Sequence, residues 1–355
     1  MKMFPNDEKG LLAAAEALNS GEVGIIPTDT VYGLAAHPDI PSAVDGLYVV
    51  KSRSREKPIA LLIDGPESAA RYIGPAAASL GARYWPGALT VVGRGEGARV
   101  PAHEWTRRLL RLCGGALRVT SANVSGAMPV TECGAALSRA GLKCDFAVDD
   151  GVSPGGEAST VVKVGEDGKI ELLREGPVKF LVLASGSPRR AKILRDAGVD
   201  FVVKKSSAAE VSYAGDPERT VRENALAKGG GAPRTLSADT IVWFSGRIYG
   251  KPRDLEEAKR FLKELSGQVH CVYTGVAYEG EVRVARSDVK FRELSSAQID
   301  EYVARVNPVD RAGAYDIDES GDLIVESYSG SYENIMGLPL EPLAEWGIVK
   351  GKGGA

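Results

Sequence analysis

At Gly176-Pro177 the chain breaks its own pattern. Upstream, helical apolar spacing over Leu11 to Leu18 is closed by Gly21 and followed by a short apolar strand, Val23 to Ile26. Helix and strand patterns then alternate as far as Glu171-Leu172-Leu173. Downstream, Lys179-Phe180-Leu181-Val182-Leu183-Ala184 starts a new strand that runs straight into a Gly/Ser/Pro turn. Such alternation predicts an α/β chain with mixed strands, and the break divides it into two domains, 1–178 and 179–355. Length agrees, since 355 residues make about two domains of roughly 150. No fixed-period repeat crosses the break, and low complexity is confined to Gly229-Gly230-Gly231 and Gly351 to Ala355.

Charge narrows the function. The chain carries 44 Lys+Arg against 47 Asp+Glu, a formal −3, divided as −2 and −1 between the halves. That balance excludes a protein whose main task is coating nucleic-acid backbone, and it leaves room for local cationic pockets. Cys113, Cys133, Cys144 and Cys271 are too widely spaced for a C-x-x-C motif and too few for a disulfide scaffold, which points to a reducing compartment. Met1 to Lys9 lacks an export pattern, and no run of about 18 apolar residues predicts a membrane span. The expectation is a soluble, cytoplasmic protein. His37, His103 and His270 have no partner histidine at ligand spacing and read as structural.

Three segments of the first half carry polar chemistry. Pro27-Thr28-Asp29-Thr30-Val31-Tyr32-Gly33-Leu34 sets two hydroxyls and a carboxylate where a strand ends, which fits either a ligand contact or a capped turn. Lys51-Ser52-Arg53-Ser54-Arg55-Glu56-Lys57-Pro58 places four cations in seven residues after a helix over Ser42 to Val50. It reads as a solvated helix end or, beside the apolar strand Ile59 to Ile63, as an anchored cationic site. Arg118-Val119-Thr120-Ser121-Ala122-Asn123-Val124-Ser125-Gly126 alternates hydroxyl and amide groups, with Ser121 and Asn123 on one side of an extended chain. Donors of this kind beside Lys and Arg make a polyphosphate cradle without a P-loop, though a turn is equally open.

In the second half, Leu183-Ala184-Ser185-Gly186-Ser187-Pro188-Arg189-Arg190 reads as strand, turn and helix start, with Ser187 as N-cap and Pro188 at the first helical position. Free N–H groups and two arginines there form a phosphate seat, the alternative being an ordinary capped helix. Ala238-Asp239-Thr240-Ile241-Val242-Trp243 opens a strand on an acid, and a hairpin turn at Ser245-Gly246 brings Lys251 toward it. The pair is either catalytic or an exposed cross-strand ion pair. Asp254 with Glu257 starts a structural amphipathic helix.

Residues from about 10 to 177 resemble the YrdC-like threonylcarbamoyl-AMP synthases. The likeness lies in Pro27 to Leu34, Lys51 with Arg53, Pro86-Gly87-Ala88-Leu89-Thr90, Arg99-Val100-Pro101, Ser121 with Asn123, Ser159-Thr160-Val161-Val162 and Arg174-Glu175-Gly176. The resemblance implies a twisted mixed sheet with helices. It also implies condensation of L-threonine, bicarbonate and ATP to threonylcarbamoyl-adenylate and diphosphate, the precursor of the t6A modification of tRNA. Lys51, Arg53, Ser121 and Asn123 would hold the phosphates. Thr28, Arg99 and Ser159 would face threonine and nucleotide, and Arg174 would complete the nucleotide contacts. Fixed cations suit attack at the α-phosphorus, which builds charge on the non-bridging oxygens.

Residues 179 to about 349 resemble the Maf-type nucleoside triphosphate pyrophosphatases. The matching text is Ala184 to Arg190, Ala238-Asp239-Thr240, Gly250-Lys251-Pro252, Leu265-Ser266-Gly267 with His270, Thr274-Gly275-Val276, Arg311-Ala312-Gly313-Ala314-Tyr315, and Gly330-Ser331-Tyr332 to Gly337-Leu338-Pro339. The resemblance implies an α/β fold with a central cleft and cleavage of a triphosphate between its α and β phosphorus atoms. Asp239 would accept the proton of water, and Arg189, Lys228 and Lys251 would clamp phosphates. Ser187, Thr240 and Asp318 would touch substrate. Glu210 and Asp239 would hold a divalent cation, Mg²⁺ first. Two positions depart from the family: Asp316-Ile317-Asp318 stands where the pyrimidine-specific branch has Gly-Ile-Gln, and Ser207-Ala208-Ala209-Glu210 where Asp-Ile-Asp-Glu is usual.

The expectation is therefore a bifunctional enzyme. Its partners would be small substrates (ATP, L-threonine, bicarbonate and nucleoside triphosphates) together with proteins of the t6A pathway, and neither a membrane nor a stable nucleic-acid complex is required. Two competing readings are an N-terminal nucleotide- or RNA-binding module without chemistry, and a C-terminal domain reduced to a regulatory role.

Overall fold

The structure is a computed structural model that describes residues 1–123, 128, 130–139 and 144–350. The chain divides into two compact units, Met1–Lys179 and Phe180–Ala355. Val124, Ser125 and Gly126 of the hydroxyl-rich segment, and the terminal stretch Gly351 to Ala355, lie outside the described residues.

The first unit opens with β1 (Lys2–Pro5), α1 (Glu8–Asn19), β2 (Gly24–Ile26), β3 (Gly33–Ala36) and α2 (Pro41–Lys51). It continues through β4 (Leu61–Ile63), α3 (Ala69–Ile73), α4 (Pro75–Tyr84), β5 (Leu89–Gly93), β6 (Glu96–Arg99) and α5 (Glu104–Leu112). β7 (Ala116–Ser121), α6 (Cys133–Arg139), β8 (Phe146–Asp149), β9 (Thr160–Val164) and β10 (Ile170–Arg174) complete it. The strands form one mixed sheet in the order β1-β8-β2-β3-β7-β4-β6-β5-β9-β10, in which β8 runs parallel to both its neighbours and β7 antiparallel to both of its own.

The sheet is covered on both faces, which is why its central strands read as unbroken apolar runs. Ile26 and Phe146 pack with Leu11 and Leu18 of α1 and Leu109 of α5 on one face. Their neighbours Ile25 and Ala147 pack with Leu47 of α2 and Ala136 of α6 on the other. Asp7 starts α1 before the apolar spacing does, its carboxylate accepting from the Gly10 N–H at 2.9 Å. At the other end of α2, Ser52 takes a left-handed φ of 51° and stops the helix at Lys51.

The second unit begins with β11 (Leu181–Leu183), α7 (Pro188–Asp196), β12 (Phe201–Val203), α8 (Pro217–Gly229) and β13 (Thr235–Phe244). Next come β14 (Arg247–Tyr249), α9 (Leu255–Leu265), β15 (Val269–Tyr278) and β16 (Glu281–Phe291). α10 (Ser296–Val306), β17 (Val325–Ser329), α11 (Tyr332–Met336) and α12 (Leu340–Glu345) follow. β11 lies parallel between β12 and the start of β13, and β13, β15, β16 and β17 then run antiparallel in turn. β14 folds back on the far end of β13 through Ser245 and Gly246, whose positive φ values of 49° and 81° make the two-residue hairpin turn. One core gathers α7 with β11, β13 and Leu343 of α12, and another packs α9 and α10 on β15 and β16. Among the described residues no helix is long and apolar enough to cross a membrane, and all four cysteines are free thiols.

Candidate active sites

In the first unit the cationic run of the sequence is split by the end of α2. Lys51, only 2% exposed, donates from Nζ to Ser121 O (2.5 Å), Thr120 Oγ1 (3.1 Å), Ser121 Oγ (3.2 Å) and Asn123 Oδ1 (3.4 Å). Arg53 bonds back to the carbonyls of Lys57 and Pro58, while Arg55 is the solvated member, paired with Asp45. Arg174, at the end of β10, holds the Ser159 carbonyl through Nε (3.0 Å) and Nη2 (2.7 Å) and the Ser159 hydroxyl at 3.1 Å. Ser159 Oγ also meets Thr90 Oγ1 at 2.8 Å. Arg99, buried at the end of β6, pairs with Asp29 at 2.8 Å and reaches Thr30 Oγ1 at 3.2 Å.

Electrostatics tie these groups into one field. Burial, with Arg53 and Arg174 adding repulsion, pulls Lys51 down to about 8. Burial likewise lowers Arg174, with Arg99 and Arg53 adding to it. Burial lowers Arg99 as well, against the pull of Asp29. Buried cations with cationic neighbours are stabilised by an anion. Thr28 is turned the other way: its hydroxyl donates to Val31 O at 2.6 Å and accepts from the Thr30 N–H at 3.2 Å, so it holds the turn after β2. The structure thus brings Lys51, Ser121 and Asn123 together, and likewise Ser159 and Arg174. It leaves Arg53 joined to them through charge alone, and spends the Thr28 hydroxyl on backbone. Asp29 and Thr30 belong to the strand-end hydroxyls and carboxylate that read as either a ligand contact or a capped turn, while Thr90 and Thr120 have no role assigned from the sequence.

In the second unit a cleft of about 900 Å³ opens beside the strand end of β11, lined among others by Arg189, Arg190, Glu210, Lys228, Asp239 and Lys251. Asp239 lies on β13 opposite Gly275 of β15 and is 5% exposed. α8 presents Asn224 and Lys228, one helical turn apart, to its carboxylate: Asn224 Nδ2 donates to Oδ2 at 3.0 Å and Lys228 Nζ to Oδ1 at 2.5 Å. The same ammonium pairs with Glu210 Oε1 at 2.7 Å. The Lys228 hydrogen bond, with Lys251 and Arg190 assisting, holds Glu210 below the usual carboxylate range against its partial burial.

Ser187 caps α7, its hydroxyl accepting from the Arg190 N–H. The Arg190 fork bonds Gly337 O (2.8 Å), Ser185 Oγ (3.0 Å) and Thr240 Oγ1 (3.0 Å), and burial draws Arg190 down to about 10. Thr240 Oγ1 also meets Thr274 Oγ1 at 3.0 Å. Asn224 is not singled out by the sequence, whereas Arg190 reads as one of the two arginines of the phosphate seat and Ser185 and Thr274 only as part of the family likeness. Lys251 is exposed on the cleft wall. His270 is a core residue, its Nε2 3.0 Å from the Tyr315 hydroxyl, and burial lowers it to about 4. His103 caps α5 and pairs with Asp150.

Two expectations are corrected. Asp318 does not face the cleft: it accepts from the Tyr332 hydroxyl at 3.1 Å, lies 3.9 Å from Lys192 Nζ, and lines a separate cavity of about 290 Å³. Its N–H donates to Asp316 Oδ1, an Asx turn that rotates the chain so that Asp316 faces the cleft in its place. Arg189 is engaged by that acid at 3.2 Å, with Arg311 on the same oxygen at 2.9 Å, so it stands as one member of an ion network as well as a cleft cation. Burial pushes Asp316 up, but bonds from Arg311 and the Asp318 N–H, with Arg189 nearby, leave it below its ordinary value. Finally, Glu210 and Asp239 do not fit a resident divalent ion, because Lys228 stands between their facing oxygens. Among the described residues no three His, Cys, Asp or Glu side chains gather as a metal set.

Fold and sites define a chain of two α/β units, each gathering buried cations beside strand ends. Residues 180–346 match the family model described as Maf-like protein, and residues 16–176 match the Sua5/YciO/YrdC model, described as Telomere recombination. Over 183 residues the chain is 39% identical to the dTTP/UTP pyrophosphatase of Thermotoga petrophila, covering 48% of this chain and 89% of that one. It is 45% identical over 176 residues to the dTTP/UTP pyrophosphatase of Gloeobacter violaceus, covering 46% and 93%. The chain belongs to the Maf-like family through its second unit. Among solved structures, P. abyssi Sua5 complexed with L-threonine is 26% identical, with 60% of this chain and 65% of that one covered and a TM-score of 0.47. E. coli YciO is 20% identical, covering 50% and 96%, with a TM-score of 0.45.

Proposed function

We propose that the chain is a bifunctional nucleotide enzyme of the cytoplasm. In the second unit a nucleoside triphosphate, of the dTTP/UTP type or a non-standard one, is hydrolysed to monophosphate and diphosphate. The observation that carries this reading is the placement of the Asp239 carboxylate in a cleft lined by Arg189, Arg190, Lys228 and Lys251. Asn224 and Lys228 fix the carboxylate through one bond to each oxygen, leaving each oxygen a further lone pair to accept the proton of an attacking water. The cations meet the charge that grows on the phosphate oxygens. The names of the relatives support the reaction class.

In the first unit, L-threonine, bicarbonate and ATP condense to threonylcarbamoyl-adenylate and diphosphate, and the adenylate passes to the proteins that modify tRNA. This reading is supported by Lys51, Arg174 and Arg99, each lowered by burial and the first two also by neighbouring arginines, with neutral acceptors around the Lys51 ammonium. The full chain supplied with dTTP, UTP, CTP and ATP in Mg²⁺ tests both halves. Asp239→Asn should abolish monophosphate formation from the preferred triphosphate and spare the diphosphate release that depends on threonine and bicarbonate, and Lys51→Met should do the reverse. Monophosphate from no base, or ATP turnover indifferent to threonine, refutes the corresponding half.

A further inference from the structure

We infer that Lys228 is the chain's own counter-cation for the Glu210–Asp239 carboxylate pair. The nucleotide-free second unit therefore takes up no divalent ion, and such an ion reaches the cleft only on the phosphates of the substrate. The ammonium sits 2.5 Å from Asp239 Oδ1 and 2.7 Å from Glu210 Oε1. A Mg²⁺ bridging the same oxygens would stand about 2.0–2.1 Å from each, in the space the ammonium fills, so the two cannot be held together.

The other oxygen of Asp239 already accepts one bond, from Asn224 on the preceding turn of α8. Among the described residues no three His, Cys, Asp or Glu side chains gather as a metal set, and Ser207, Ala208 and Ala209 precede Glu210, whereas hard cations take six or more oxygen ligands. The local field agrees, since Lys251 and Arg190 already act on Glu210 beside Lys228. Two carboxylates facing three cations repel a free divalent ion and attract one that arrives chelated by a triphosphate of greater negative charge. Lys228 itself is held by packing, with its side chain 13% exposed.

The statement about the free protein rests on geometry alone, and the statement about the substrate chelate rests on the pyrophosphatase reading; one set of measurements separates them. Mn²⁺ is titrated into the nucleotide-free full chain and the free ion is read by its electron paramagnetic resonance signal. The wild type should leave Mn²⁺ free to on the order of 1 mM. Lys228→Ala and Lys228→Met should each gain one site per chain, roughly tenfold tighter or more, and Asp239→Asn added to either should erase it. Stoichiometric uptake by the wild type that Asp239→Asn removes, or no gain in two folded Lys228 variants, overturns the inference about the free protein. An α,β-methylene triphosphate should then carry Mn²⁺ with the wild-type chain through gel filtration; failure of that arm alone overturns the substrate-chelate half.

Discussion

Replacing Gly275 by Ala tests how the second unit builds its site. Gly275 lies on β15 directly across from Asp239, and α8 passes so close that a Cβ would come 2.4 Å from the Val221 carbonyl oxygen and 2.6 Å from its carbon. Ordinary contact begins near 3.4 Å, and backbone cannot rotate away as a side chain can, so the helix must retreat by roughly 1 Å. Asn224 and Lys228 ride on the same helix, at 3.0 and 2.5 Å from Asp239. After such a retreat both bonds reach or pass the limit of hydrogen-bond geometry. Overpacking of this kind costs about 1–3 kcal/mol, which lowers Tm by roughly 2–12 °C in a domain of this size. A misplacement near 1 Å costs on the order of 10²-fold in turnover. Thermal unfolding of the full chain by circular dichroism, with monophosphate formation from dTTP or UTP on the same samples, measures both. ATP turnover by the first unit serves as the internal control. Wild-type Tm and turnover in Gly275→Ala would refute the claim that the glycine sets the helix against the strand that carries Asp239.

Further outcomes follow from the charges. Lys51 falls from 10.5 to about 8 on folding, so between those values the unfolded chain binds the proton that the folded one has released. Its burial costs stability below pH 8, and the cost is relieved as pH rises. An anion restores the proton, so triphosphate binding at pH 8 should take up about half a proton and weaken above that pH. Titration calorimetry in two buffers of different ionisation heat reads the uptake, and none at pH 8 would refute the assignment. Asp318→Asn should leave kcat and KM for triphosphate hydrolysis unchanged, because Asp318 faces Lys192 and Tyr332 outside the cleft; a large KM effect would contradict that placement. Asp316→Asn, which takes the acid from Arg189 and from Arg311 Nε while Arg311 keeps Glu319 and Asp310, should lower unfolding free energy by about 1–3 kcal/mol, discounted for the partial exposure of both arginines; denaturant titration checks it.

The α/β class and the two cationic segments were legible because strand ends announce themselves locally. An apolar run followed by Thr-Asp-Thr or by Ser-Gly-Ser-Pro carries its own turn chemistry, and the structure turns the chain at both places. What was not legible depends on direction. Arg189 and Arg190 are adjacent at a helix start, so their side chains leave the helix about 100° apart, and nothing in the sequence says that Arg190 is the one buried against Thr240 and Gly337. Asp316 and Asp318 would share a side if the chain stayed extended. The bond from the Asp318 N–H to the Asp316 carboxylate bends it instead and sends them to different cavities. The edge strand β1 carries no alternation of its own and is held by its register with β8.

A different kind of blindness applies to Lys228 and Gly275. Lysine eleven residues before an acid reads as a free phosphate clamp, and glycine inside a strand reads as a weakness. Each acquires its meaning only when α8 is laid across β13 and β15, since the helix brings the ammonium to Asp239 and needs the missing Cβ to come that near. The geometry of the proposed site in this unit is therefore a property of one helix-to-sheet distance. A substitution anywhere along the buried side of α8, at Val221 or Ala225 as much as at Asn224, acts on the carboxylate through that same distance.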